Sequence, residues 1–236
     1  MPYVTGYVPG WIAAVRAAVA SGADAVEIGL PFSDPVMDGP VIQRASTIAL
    51  QRGATVNAIL DEVRELDVDV PLVVMCYYNT VFRAGHERFA SLAKKAGVSG
   101  VIVPDLPLEE TALWCAAADA AGLATVMLAA PTAPDARLPL IAQRSRGFVY
   151  AVGLLGITGE RETLASSATT IARRVKDVTD LPVLVGVGVS DAAQAVEACS
   201  IADGVIQGAA IMRRLLDEGA ESVGAFVADV RRALDE

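Results

Sequence analysis

Short apolar runs alternate along the chain with longer amphipathic, alanine-rich segments. The runs are YVT at Tyr3, AVEIGL from Ala25, PLVVMCY from Pro71, GVIVPD from Gly100, ATVMLAAP from Ala124, GFVYAVG from Gly147, LPVLVGVG from Leu181 and ADGVIQG from Ala202. Each is a few residues long, apolar on both alternating positions and flanked by Gly, Pro or Asp, which is the pattern of a strand covered on both faces. Between them, GWIAAVRAAVASG, HERFASLAKKAG, EETALWCAAADAAG and DAAQAVEACS repeat apolar residues at three or four positions and predict helices. The last stretch, MRRLLDEGAESVGAFVADVRRALDE, predicts two more. Strict β-then-α alternation implies parallel strands joined by helical crossovers.

About eight such units in 236 residues close most naturally into an α/β fold of the single-domain (β/α)8 TIM-barrel type, spanning residues 1–236. An open, doubly wound sheet shares the periodicity, so the pattern leaves that alternative standing. No linker, low-complexity segment or charge run marks a second domain.

Composition narrows the function classes. Although 53% of residues are hydrophobic, every apolar stretch is interrupted well short of the roughly 18 residues that a membrane-spanning helix needs. The opening MPYVTGYVPG has neither a basic segment nor an apolar core of the signal-peptide kind, so no membrane association and a cytoplasmic location are expected. A net charge of −9 without clustered Lys or Arg argues against nucleic acid. Cys76, Cys115 and Cys199 are scattered and odd in number, which excludes a disulfide framework or zinc motif and predicts buried apolar fillers. His86 is the only histidine, so acid–base chemistry falls to carboxylates, Tyr or Lys, and no metal site is expected.

In a barrel, residues at the C-terminal ends of strands converge on one face. Glu27 lies inside the apolar run Ala25 to Leu30, where an unpartnered carboxylate costs several kcal/mol or takes up a proton. It is either a functional acid or a buried side chain satisfied by a backbone group or a Tyr hydroxyl. The loop PFSDPVMDGP that follows is stiffened by Pro31, Pro35 and Pro40 and carries Asp34 and Asp38; such Asp residues also serve as simple turn formers. Glycines gather after the last three runs: Gly153, Gly156 and Gly159; Gly186 and Gly188; Gly204 and Gly208. Clusters at the seventh and eighth strands point to backbone N–H groups presented to a phosphate, beside the alternative that the glycines only serve turns.

The segments AVEIGLPFSDPVMDGPVIQ, PYVTGYVPG, VVMCYYN, VIVPDLPLEE, GFVYAVGLLGITG and VGVGVS resemble, in order and across almost the whole chain, the tryptophan synthase α chain family. The resemblance implies a cofactor-free lyase that cleaves indole-3-glycerol phosphate to indole and glyceraldehyde 3-phosphate in tryptophan biosynthesis. It also implies Glu27 and Asp38 as the catalytic pair, and Tyr3, Met75, Tyr77, Tyr150 and Thr158 as substrate-binding residues. Gly159, Gly188, Gly208 and Ala209 match phosphate-loop positions, and Asp34, Pro35, Asn79, Asp105 and Pro107 match the face that meets the family's β chain in an αββα assembly. The chain departs from the family in three places. Met1 precedes Tyr3 where the family carries a short helix, so a less covered barrel floor is expected. Ala209 stands where a serine is common, and Gly153, Leu154 and Leu155 replace a small polar residue in the mobile loop. A stand-alone indole-releasing lyase and a weakly active barrel kept as an allosteric subunit are the alternatives.

Overall fold

The computed structural model describes residues 1–153, 166–186 and 188–236. In chain order its elements are β1 (Tyr3–Thr5), α1 (Trp11–Ala20), β2 (Val26–Gly29), α2 (Pro40–Gln51), α3 (Val56–Arg64), β3 (Leu72–Met75), α4 (Tyr78–Ala84), α5 (His86–Lys95), β4 (Gly100–Ile102) and α6 (Ala112–Ala121). They continue as β5 (Ala124–Ala129), α7 (Leu138–Arg144), β6 (Val149–Val152), α8 (Ser166–Lys176), β7 (Val183–Gly186), α9 (Ala192–Cys199), β8 (Gly204–Ile206), α10 (Ala209–Asp217) and α11 (Ala220–Asp235).

All eight strands are parallel, and each pairs with the next in sequence. The two edges meet: the Tyr3 N–H donates to the Gln207 carbonyl at 2.9 Å and the Gln207 N–H to the Met1 carbonyl at 3.1 Å, with Pro2 and Gln207 bridged in parallel. The sheet is therefore a closed barrel, and the doubly wound alternative falls.

Side-chain direction follows from the period of two along a strand. On β2, Val26 and Ile28 belong to the layer between strands and helices, which leaves Glu27 and Gly29 to face inward. A separate inner cluster of Val73, Ile102, Val126, Phe148 and Ile206 fills the barrel, and Met1 packs against it. The outer layer is large and alanine-rich, and Phe89 and Trp114 meet edge to face at 5.8 Å within it. Helix starts follow local chemistry. Thr55 caps α3 by accepting from the Ala58 N–H at 3.1 Å, Asp191 caps α9 by accepting from Gln194 at 2.8 Å, and Pro40 occupies the first turn of α2, where its missing N–H costs nothing. Cys76 and Cys115 are buried as expected; Cys199, at the last position of α9, is only half covered because the helix ends there at the edge of the outer layer. Among the described residues, no helix is long and apolar enough to cross a membrane, and no group of His, Cys, Asp and Glu could hold a metal ion.

Candidate active site

Glu27 and Asp38 reach the barrel interior by different routes. Glu27 is the second residue of β2, in register with Tyr3 and Val73, and only 3% of it is exposed. Among the described residues its Oε2 has no hydrogen-bond partner. Burial pushes the Glu27 carboxyl up to about 8; the Met1 ammonium opposes the rise and the Asp38 charge adds to it. Among the described residues, the unpartnered Oε2 does not fit the alternative of a fully satisfied structural glutamate. Asp38 sits at the end of the loop between β2 and α2 and is 6% exposed. Its Oδ1 accepts a hydrogen bond from the Tyr77 hydroxyl at 2.8 Å, and its carbonyl accepts one from the Gln43 side-chain amide, also at 2.8 Å. Burial raises the Asp38 carboxyl above its ordinary value, and the Tyr77 bond offsets part of the rise.

Two tyrosines frame this interior. The Tyr3 ring lies against Gly29 on the neighbouring strand and the Tyr150 ring against Gly186 on its neighbour, so closely that a methyl group added at either glycine would overlap the phenol. Tyr3 is buried, and the Thr5 hydroxyl donates to its oxygen at 3.3 Å. Burial raises both phenols far above their usual value, so they stay protonated donors at working pH. Met75 is half buried at the end of β3. A cavity of about 550 Å³ opens at the C-terminal face between the ends of β4 and β5, with Met37, Pro104, Leu128, Ala130 and Val152 in its wall. Met37 is the residue before Asp38, so the cavity lies beside Asp38, although neither carboxylate is in its lining.

The expected phosphate positions lie on the same face. Gly208 precedes α10 and Ala209 is its first residue; among the described residues no side chain caps that end, which leaves first-turn N–H groups of the kind that bind anions. Gly188 has φ +92°, a left-handed conformation that glycine adopts without strain, and the Ser190 hydroxyl donates to its carbonyl at 3.2 Å. Gly186 has a different task from an anion contact, because it gives space to Tyr150.

A family model described as tryptophan synthase alpha chain matches residues 1–232. The chain belongs to the tryptophan synthase alpha chain family. Relatives carrying that description include one from Streptomyces coelicolor, 48% identical over 234 residues that cover 96% of this chain and 86% of the relative. Another, from Methanosarcina mazei, is 47% identical over 208 residues, covering 88% and 76%. A solved Mycobacterium tuberculosis tryptophan synthase chain superposes with a TM-score of 0.92 at 39% identity, covering 99% of this chain and 91% of that one. Family membership makes the chain a lyase of tryptophan biosynthesis acting on indole-3-glycerol phosphate.

The sequence-based site residues divide in space. Glu27, Asp38, Tyr3, Tyr77 and Tyr150 converge on the interior, Gly188, Gly208 and Ala209 sit at its mouth, and Thr158 and Gly159 lie outside the described residues. Asp34, Asn79, Asp105 and Pro107 are exposed and Pro35 is half buried; Asn79 lies in the first turn of α4 and the others on the loops that follow β2 and β4. Asp105 also has a local role, accepting from the Tyr78 N–H at 2.7 Å at the start of α4. Two features escaped the sequence reading. The Tyr77 hydroxyl is bonded to Asp38 rather than serving as pocket wall alone, and apolar Val36 and Phe82 are 73% and 63% exposed beside Pro35 and Asn79. The polar hydroxyl within the buried segment VVMCYYN was the only sequence signal for the first.

Proposed function

We propose that Glu27 and Asp38 cleave indole-3-glycerol phosphate by acid–base chemistry. Glu27, protonated below about pH 8, gives its proton to C3 of the indole ring, which turns the ring into an electron sink. The Asp38 carboxylate accepts the indole N–H and offsets the positive charge growing on that nitrogen. The Glu27 carboxylate then takes the proton of the hydroxyl on the adjacent glycerol carbon. The carbon–carbon bond breaks, its electrons restore the aromatic ring as indole, and the hydroxyl carbon leaves as the aldehyde of glyceraldehyde 3-phosphate. Glu27 ends protonated, ready for the next turnover. The observation that carries this reading is the contrast between the two buried carboxylates: one, with an oxygen that has no partner among the described residues, is pushed up to about 8, and the other is held by a phenol donor.

Tyr3, Met75 and Tyr150 line the aromatic part of the substrate. Backbone N–H groups at the start of α10, with Gly188, Gly208 and Ala209, hold the phosphate; Thr158 and Gly159, which the family resemblance adds to the site, lie outside the described residues. The chain works as one barrel domain over residues 1–236, in the cytoplasm, as the α subunit of an αββα assembly. Its β-chain face comprises Asp34, Pro35, Asn79, Asp105 and Pro107, and the exposed apolar Val36 and Phe82 beside them support that placement.

Indole release from indole-3-glycerol phosphate, measured with and without an added β chain, tests this reading. Glu27→Gln is expected to lower turnover by at least about 10²-fold, the scale of a lost general acid–base group, with its melting temperature retained or raised. Near-normal turnover in the variant removes Glu27 from the mechanism. A rate indifferent to the β chain removes the subunit assignment.

A further inference from the structure

We infer that Tyr77 is the positioning residue for Asp38: its hydroxyl, seated between the Met37 N–H and the Asp38 carboxylate, holds the loop between β2 and α2 so that the carboxylate faces the barrel interior. The inference rests on the catalytic reading of Asp38 and adds a residue that acts through it.

The geometry is specific. Tyr77 lies two residues beyond the end of β3, as the N-cap residue of α4; it is 2% exposed and packs its ring against Phe32 of the loop between β2 and α2 with centroids 5.2 Å apart. The hydroxyl donates to Asp38 Oδ1 at 2.8 Å and accepts from the Met37 N–H at 3.1 Å. One phenol oxygen thus uses both its donor and an acceptor site on adjacent residues of one loop, which fixes the backbone at Met37 and the side chain at Asp38 together. The loop needs such an anchor. Pro31, Pro35 and Pro40 stiffen it, yet between Leu30 and Pro40 it belongs to neither strand nor helix, and Val36 beside the clamp is exposed. The short turn between β3 and α4, pinned by a strand on one side and a helix on the other, is a rigid point from which to hold it.

The titratable groups whose charge bears on this cluster are Asp38, Tyr77, Tyr3 and Glu27. Burial and the nearby Asp38 charge raise the Tyr77 phenol well above its usual range, so it remains a donor to Asp38 wherever the enzyme works. Losing the hydroxyl therefore removes a bond that favours the ionised carboxylate and leaves the opposing effect of burial.

Tyr77→Phe, Asp38→Asn and the double variant are to be compared for indole release across pH, alongside thermal melting. The expected result is about a 10-fold or greater loss of kcat in Tyr77→Phe with a smaller change in KM. The acid limb of its profile moves to higher pH, and the Tyr77 change has no further effect once position 38 is Asn. A purely structural role would lower the melting temperature without moving the acid limb. An unchanged kcat and acid limb in Tyr77→Phe, beside an inactive Asp38→Asn, overturns the clamp and leaves the reading of Asp38 intact. An equal loss on both backgrounds also overturns it. An active Asp38→Asn overturns that earlier reading instead. If the Phe variant fails to fold, 3-fluorotyrosine at position 77 keeps the ring and makes the hydroxyl a stronger donor. The acid limb should then move to lower pH, and an unmoved limb overturns the clamp.

Discussion

At the scale of single residues, the proposed chemistry depends on two carboxylates with different surroundings. Glu27 sits on a strand, buried, with its Oε2 unpartnered among the described residues; Asp38 sits on a loop and is tied to a phenol. Ala209 is a third informative residue, because the hydroxyl common at this position in the family is missing while the helix N-terminus behind it is intact. If the first N–H groups of α10 hold the phosphate, the lost hydroxyl removes one donor among several and binding survives. Ala209→Ser is expected to tighten binding of glycerol 3-phosphate by about tenfold and by no more than about 150-fold, since a hydrogen bond to a charged group contributes about 1.5–3 kcal/mol at best. The effect on kcat should be small, because the phosphate is held alike in ground and transition states. Calorimetric titration of both proteins checks this, and absence of binding to either one rules out the phosphate site. The two carboxylates were legible in the sequence because a charged residue inside an apolar run, and Asp residues in a proline-framed loop, are local signals. The Tyr77 contact was not, because it spans 39 residues of chain and depends on how β3 and the loop meet.

At the scale of elements, two glycines on neighbouring strands of tyrosines do a job that their sequence setting disguises. Gly186 ends β7 in a VGVGV stretch that reads as an anion loop, yet its missing side chain is what lets Tyr150 lie flat across the strand. Gly204, at the start of β8, meets only ordinary contacts with Leu184. Gly186→Ala should therefore cost about 1–3 kcal/mol by overpacking and lower turnover by displacing the phenol, whereas Gly204→Ala should stay within about 1 kcal/mol of the parent. Urea denaturation of the two variants side by side decides it, and equal midpoints would mean that the Tyr150 ring moves aside freely. Alternation of apolar runs and helical segments was enough to place all eight strands, because in a parallel barrel each strand is covered on both faces and announces itself as a short apolar run. The count of eight units favoured closure, but the bonds that make it were not legible: Tyr3 N–H to the Gln207 carbonyl and Gln207 N–H to the Met1 carbonyl join residues about 200 positions apart, and no periodicity encodes them.

At the scale of the whole molecule, partner binding and pH act on the same barrel. Phe82 is expected to anchor the β chain, so Phe82→Asp should weaken the complex at least 10-fold in sedimentation or calorimetry while shifting the melting temperature by no more than about 2 °C, as befits an exposed position. A complex of parental affinity would move the interface elsewhere. The pH dependence of folding tests the interior more deeply. In the unfolded chain Glu27 loses its proton near the ordinary value of 4.5, whereas in the barrel it keeps the proton until about pH 8. Between those limits the folded state binds more protons than the unfolded one, so the stability linked to Glu27 is fully present below about 4.5. It declines as pH rises and is gone above about 8. Asp203 has the opposite sign. Burial pushes it up, but bonds from Lys176 and the Val183 N–H outweigh that and hold it below its ordinary value, so its contribution is lost in acid. Glu27→Gln keeps the shape and removes the titration. Denaturation at pH 5, 7 and 9 should find parent and variant close together at pH 5. The variant should be the more stable at pH 9, by on the order of a few kcal/mol. Parallel pH curves for the two proteins would mean that Glu27 ionises in the barrel as readily as in water, and the proton donor of the proposed mechanism would have to be found elsewhere.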